Sequence, residues 1–126
     1  MLQIREKQYH QTKVLALAGQ FCRNTNTGIQ ARILGAKQMG YQHVILDFSG
    51  VTEIDSTGLG ELFLWYHHMR PLMIPHLVQI SVVKPPPYIR YHLDWSHISE
   101  IVPIYASEEE AMEHIEEAME HVEAFS

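Results

Sequence analysis

The run His43 to Phe48 is apolar almost throughout, and soon after it the chain reads Asp55, Ser56, Thr57, Gly58, Leu59, Gly60 before an amphipathic run that ends near Arg70. A strand-like segment that turns into a helix is the repeating unit of an α/β fold, which narrows what this chain can become. Val44, Ile45 and Leu46 are continuously apolar, as in a strand buried on both faces of a parallel sheet. At the junction a hydroxyl sits where the first N–H groups of a helix lack internal partners and the helix end carries partial positive charge. Such a place can hold a phosphate or present a serine to a partner. On the physics of the residues alone, the plainer reading leads: Ser56 or Thr57 is only the helix N-cap, worth about 1 kcal/mol.

The same alternation extends in both directions. Lys13 to Ala18 reads as a strand closed by Gly19, with Leu2 to Lys7 as a weaker first strand. Thr25 to Met39 reads as a helix with Ile29, Ile33 and Ala36 on one face and Gly40 as its stop. The helix after Asp55 places Leu59, Leu62, Phe63, Tyr66 and Met69 at helical spacing, with Ile54 stapled against Leu59 and Pro71 and Pro75 ending it. Leu77 to Val83 is a further strand, Pro85 to Tyr91 begins a short proline-led helix, and Ile101 to Ile104 is a last short strand. Ser107 with Glu110 forms a capping box for a closing helix, whose buried stripe is Ala111, Ile115, Ala118 and Val122. The expected order is β-β-α-β-α-β-α-β-α in one α/β domain spanning 1–126.

Composition excludes several functions. At 126 residues the chain can bury a core without disulfides or metal, and a single cysteine, Cys22, cannot form an internal bridge. Met1 to His10 lacks the apolar stretch of a signal peptide, so a reducing cytoplasmic setting is expected. The longest apolar runs, such as Leu62 to Tyr66, are too short to cross a bilayer, and no direct membrane insertion is expected. A formal net charge of −6 argues against a nucleic-acid partner, which needs clustered Lys and Arg.

Enzyme motifs fit poorly. Gly58 and Gly60 supply two glycines of a dinucleotide fingerprint, but Phe63 stands where close helix packing needs Gly or Ala. Gly35 and Gly40 have Walker A spacing, yet Tyr41 and Gln42 replace the phosphate- and magnesium-contacting residues. Asp55 with Thr57 and Gly58 is no aspartic-protease signature, because Ser56 intervenes and the flanks are not all-β. Among nine histidines, His67 with His68, His92 with His97, and His114 with His121 all miss one-turn ligand spacing, so surface positions are expected for most and no metal. The Glu-rich last helix reads as a solvated face, and Cys22 as a structural thiol. Trp65 and Trp95 are of the kind that anchors interfaces, although core packing is the plainer expectation for both.

The stretch Val44, Ile45, Leu46, Asp47, Phe48, then Val51, Ile54, Asp55, Ser56, Thr57, Gly58, Leu59 and Leu62 resembles the signature of STAS domains, specifically the bacterial anti-sigma factor antagonists. The resemblance extends to Gly19 after the second strand, the proline-led helix near Tyr88, and the passage from Ile101 through Tyr105 and Ser107 into the Glu-rich helix. It implies a mixed sheet of four to five strands, about four helices packed mainly on one face, no cofactor and no intrinsic catalysis.

In that family the residue matching Ser56 is phosphorylated by a partner serine kinase of the GHKL type, itself the anti-sigma factor. The unmodified antagonist binds the kinase and frees the sigma factor, the phosphorylated one lets go, and a serine phosphatase resets it. The resemblance therefore implies Ser56 as phosphoacceptor and Asp55, Ser56, Thr57, Gly58 and Leu59 as partner-binding residues, and it allows weak homo-oligomers. Gly58 and Gly60 are expected to keep the approach to the hydroxyl clear of side chains. Two positions differ from many switched members: Thr57 replaces a second Ser, and Gly19, Gln20, Phe21, Cys22 lacks an acidic residue. Two alternatives stay open. One is an unphosphorylated STAS subunit that docks in a stressosome scaffold or on the ATPase of a lipid-transport ABC complex; the other is nucleotide or anion binding at the helix start.

Overall fold

A computed structural model describes residues 2–9, 11–22, 27–69 and 80–124 of the chain. The elements are β1 (Gln3–Tyr9), β2 (Thr12–Phe21), α1 (Thr27–Gln38), β3 (His43–Ile54), α2 (Ser56–Met69), β4 (Ile80–Val83), α3 (Pro87–Trp95), a 3-10 turn (Ile98–Glu100), β5 (Ile104–Tyr105) and α4 (Glu108–Ala124). One five-stranded sheet runs in the order β1-β2-β3-β4-β5, with β1 antiparallel to β2 and the remaining pairs parallel. This is the alternation expected from the sequence.

The strand order explains where the helices lie. Each parallel connection moves one strand further in the same direction, and crossovers are right-handed, so α1, α2 and α3 fall on one face. There Ile29, Ile33, Leu62, Trp65, Ile89 and Leu93 cover Leu15, Leu17, Val44, Leu46, Phe48, Ile80 and Val82. Successive strand residues point to opposite faces. Val14, Ile45 and Val83 accordingly point the other way, against Ala111, Met112 and Ile115 of α4. Three helices therefore share one face and one takes the other, in keeping with the expectation of helices mainly on one face.

Local signals set most boundaries. The α1 stripe of Ile29, Ile33 and Ala36 is buried as expected. The helix stops where Gly40 N–H donates to the Lys37 carbonyl at 3.1 Å and Tyr41 N–H to the Ala36 carbonyl at 3.0 Å, the paired bonds of a Schellman ending. Pro87 opens α3 at a position that needs no N–H. Ser107 Oγ accepts the Glu110 N–H at 3.1 Å, while the Glu110 carboxylate accepts from Ala106 N–H at 3.3 Å, one residue further back than in a regular capping box.

Three boundaries differ from expectation by more than two residues. Gly19 does not close β2: at φ +113° it sits in a bulge, with register shifts on either side, and the strand continues to Phe21. In step with it, β3 runs past Phe48 to Ile54, pairing Gly50 with Ala18 and Ile54 with Phe21. The last strand is Ile104–Tyr105 and not Ile101 to Ile104, because the chain first makes the 3-10 turn and then passes Pro103, which has no N–H to donate. Pro71, Pro75, residues 77–79 of the expected fourth strand and 25–26 of the expected first helix lie outside the described residues, as do the side chains of Ala118 and Val122.

Candidate functional site

The bulged extension of β2 and β3 carries the junction beyond the rest of the sheet, since β4 pairs with β3 only as far as Asp47. At its tip Asp55 is the N-cap of α2. Its Oδ1 accepts the Gly58 N–H at 2.8 Å and its carbonyl accepts the Leu59 N–H at 3.0 Å. Neither Ser56 nor Thr57 is therefore the cap. Ser56 is the first helical residue and is exposed, Thr57 is half-buried, Gly58 is buried, and Leu59 is half-buried against the core.

Gly58 does something other than clear the approach to the hydroxyl. A Cβ on it would stand 2.5 Å from the Phe21 carbonyl oxygen and 2.7 Å from Phe21 Cδ1, so its bare backbone lets the first turn of α2 lie directly on the end of β2. Phe21 in turn packs on Phe48 and Trp65, each with ring centroids 5.5 Å away. This aromatic cluster fixes where the helix starts. Gly60, with nothing within 4 Å of its would-be Cβ, is the glycine on open space.

Next to the junction lies Cys22, half-buried. Burial pushes its thiol above the ordinary range, and the negative charges of Asp55 and Glu53 push the same way. The acidic groups that act on Cys22 are those at the end of β3 and the start of α2. Asp55 already engages an N–H of the helix start, so part of the anion-binding capacity of that terminus is taken up by the chain itself. Among the described residues no group of three His, Cys, Asp or Glu side chains gathers as a metal site, and no helix is long and apolar enough to cross a membrane.

From Ser56 an exposed stripe continues along α2 through Gly60, Phe63, Leu64 and His67. Phe63 is 37% and Leu64 51% exposed, and the Phe63 and His67 rings meet edge to face with centroids 4.5 Å apart. This corrects the expectation that Phe63 belongs to the buried face: Leu62, Trp65 and Tyr66 fill that face instead. The signal was present in the spacing, because Gly58, Leu62 and Trp65 follow one helical line and Ser56, Gly60 and Phe63 another.

The model of the STAS domain family matches residues 3–111. The chain belongs to the STAS domain family. Among solved structures this STAS domain is similar to an anti-sigma factor antagonist from Mycobacterium paratuberculosis, with a TM-score of 0.79 at 16% identity over 92% of this chain and 95% of that one. It is similar to the Bacillus cell fate determinant SpoIIAA in its phosphorylated form, with a TM-score of 0.65 at 21% identity over 90% and 99% of the two chains. A murine Slc26a9 anion transporter also contains the fold, with a TM-score of 0.67 at 17% identity over 83% of this chain but only 18% of the transporter. At these identities the likeness is one of fold. None of the curated proteins matches the sequence.

Proposed function

We propose that this STAS domain is an anti-sigma factor antagonist whose α2 start binds an anti-sigma serine kinase in the cytoplasm and releases it when Ser56 is phosphorylated. The carrying observation is the division of labour at the junction: Asp55 caps the helix, which leaves the Ser56 hydroxyl exposed and without a capping role. A kinase can therefore take this hydroxyl without dismantling the helix start. Phosphate would add roughly two negative charges at a helix N-terminus, where the dipole tolerates them, beside Asp55, where they repel an acidic or closely packed partner. The domain itself carries out no chemistry in this reading; kinase and phosphatase do.

The test separates folding from binding. Ser56→Ala should retain the partner and lose no more than about 1 kcal/mol of stability, because no cap is removed. Ser56→Asp should melt like wild type yet bind the unmodified-state partner at least about tenfold more weakly. Incubation with kinase and ATP should label Ser56 and not Thr57. If Ser56→Asp binds as tightly as wild type in titration calorimetry, the switch is wrong and a constitutive docking role, using the same stripe, replaces it.

A further inference from the structure

Among the described strands only β2 pairs with β3 beyond Asp47, and the two advance at different rates. From Ala16 to Phe21 β2 advances five residues while β3 advances seven, from Asp47 to Ile54. One extra residue enters β3 before Gly50 and another between Val51 and Glu53, at the two register shifts. Strand β2 keeps the ordinary alternation, with Leu17 and Phe21 buried and Ala18 and Gln20 exposed. On β3 the alternation breaks twice. Phe48, Val51 and Ile54, three residues apart, are all buried in the core beneath α1, α2 and α3, while Ser49, Thr52 and Glu53 are exposed. A single extra residue would turn Ile54 out to solvent, because each one exchanges the faces; the second restores it to the core. Trp65, 1% exposed, meets the Phe21 ring in this core, whereas Trp95 is 74% exposed, so the expectation of core packing holds for the first and fails for the second.

Each shift has a glycine. At the first, a Cβ on Gly50 would stand 2.9 Å from Ala18 Cβ and 2.9 Å from the Leu17 carbonyl oxygen. At the second, Gly19 holds φ +113°, a conformation that L side chains rarely adopt.

We infer that Gly50 and Gly19 are positioning residues for the phosphorylation of Ser56, an inference that rests on the switch proposed above: the double bulge sets where the hydroxyl stands. Ser56 lies two residues past Ile54, which pairs with Phe21, and the first turn of α2 lies on the Phe21 carbonyl through Gly58. The start of α2 is thus tied on both sides of Ser56 to the end of β2. A side chain at either bulge glycine forces the two strands apart below this tie and displaces the hydroxyl, while Asp55 still caps the helix. In the transfer the bond from Ser56 Oγ to phosphorus forms as the bond from phosphorus to the ADP oxygen breaks, and the hydroxyl proton passes to a base of the kinase. Such a step needs the reacting atoms about 3–3.5 Å apart, and a misplacement of about 1 Å costs on the order of a hundredfold.

Kinetics separate position from stability, because this domain is the substrate of the kinase. Partial unfolding lowers the concentration of folded substrate and raises the apparent KM, whereas a displaced hydroxyl lowers kcat at saturation. The probe is the serine kinase that co-purifies with the wild-type chain, assayed with ATP and the full chain as the varied substrate. Gly50→Ala and Gly19→Ala should each lower kcat at least about tenfold. Leu93→Ala, which truncates a buried residue of α3, should raise KM alone. Thermal melts show which variants are folded at the assay temperature. An unchanged kcat in either folded glycine variant overturns the positioning role and leaves the switch standing. So does a Leu93→Ala chain whose kcat falls as far, since the effect is then one of stability. If neither glycine variant melts cooperatively, the bulge serves folding alone and the role is withdrawn. A wild-type chain that binds the kinase and takes no label on Ser56 is a different failure, which removes the switch and this inference with it.

Discussion

Two glycines two residues apart at the head of α2 face different sides of the helix and have opposite jobs, and the difference can be measured. Gly58 faces backbone: its added Cβ would meet the Phe21 carbonyl oxygen at 2.5 Å, which no side-chain rotation relieves. Gly58→Ala should cost about 1–3 kcal/mol as the helix start is pushed off the end of β2. Gly60 has open space, and in an exposed helix interior Gly60→Ala should raise stability by about 1 kcal/mol. Urea titrations of the two variants check both signs. Equal effects would mean that the close approach of α2 to Phe21 is not maintained in solution.

At the scale of elements, α2 carries the core on one side and the candidate interface on the other. Leu64 and Phe63 contribute to the exposed stripe that continues from Ser56. Leu64→Ser should lower affinity for a partner docked at Ser56 by about 1–2 kcal/mol while moving the melting temperature little. Calorimetric titration beside a thermal melt reads the two separately, and a loss of stability without a loss of binding would return Leu64 to a structural role. The elements themselves were largely legible in the sequence, because an apolar strand run, a helical stripe and a glycine stop each have one dominant local cause. The Schellman end of α1 and the serine cap of α4 are examples. What escaped depended on long-range pairing. Gly19 and the Ser49–Gly50 pair look like strand endings, and only the matched extension of β2 and β3 turns them into interior positions of a bulged ladder. Phe63 and Trp95 escaped for a second reason: an aromatic ring fits a core and an interface equally well, and only burial decides between them. Of the candidate site, the location was legible and the assignment of the cap to Asp55 was not, since Asp, Ser and Thr in succession are all good caps.

Across the whole molecule, the two helical layers are fastened to the same edge strand by neighbouring residues. Glu6 of β1 points to the three-helix face and pairs with Arg32 of α1 at 2.8 Å, while Lys7 points to the other face and reaches Glu108 at the head of α4 at 3.0 Å. The hydrogen bond to the Glu108 carboxylate raises the Lys7 ammonium above the ordinary lysine value of 10.5; it outweighs the opposing effect of burial, and the Glu108 charge adds a smaller push the same way. A raised folded-state value means that this contribution to stability is fully present below the unfolded value and is lost as pH rises through the folded one. Lys7 is half exposed, so solvent screens the pair and the attraction itself is modest. The larger quantity is what remains after its removal. Glu108 is buried, and its Oε1 has no hydrogen-bond partner among the described residues, so Lys7→Met leaves a carboxylate with neither oxygen paired to a side chain. That should cost about 1–3 kcal/mol at neutral pH, more than Glu108→Gln, which removes the buried charge together with the pair. Denaturant midpoints followed upward from pH 7 should show the gap between wild type and Lys7→Met closing above pH 10.5, as wild type loses its own ammonium. A gap that stays constant through that range would mean that α4 is held to the sheet by Val14, Ile45 and Val83 alone, with the Lys7–Glu108 pair contributing nothing.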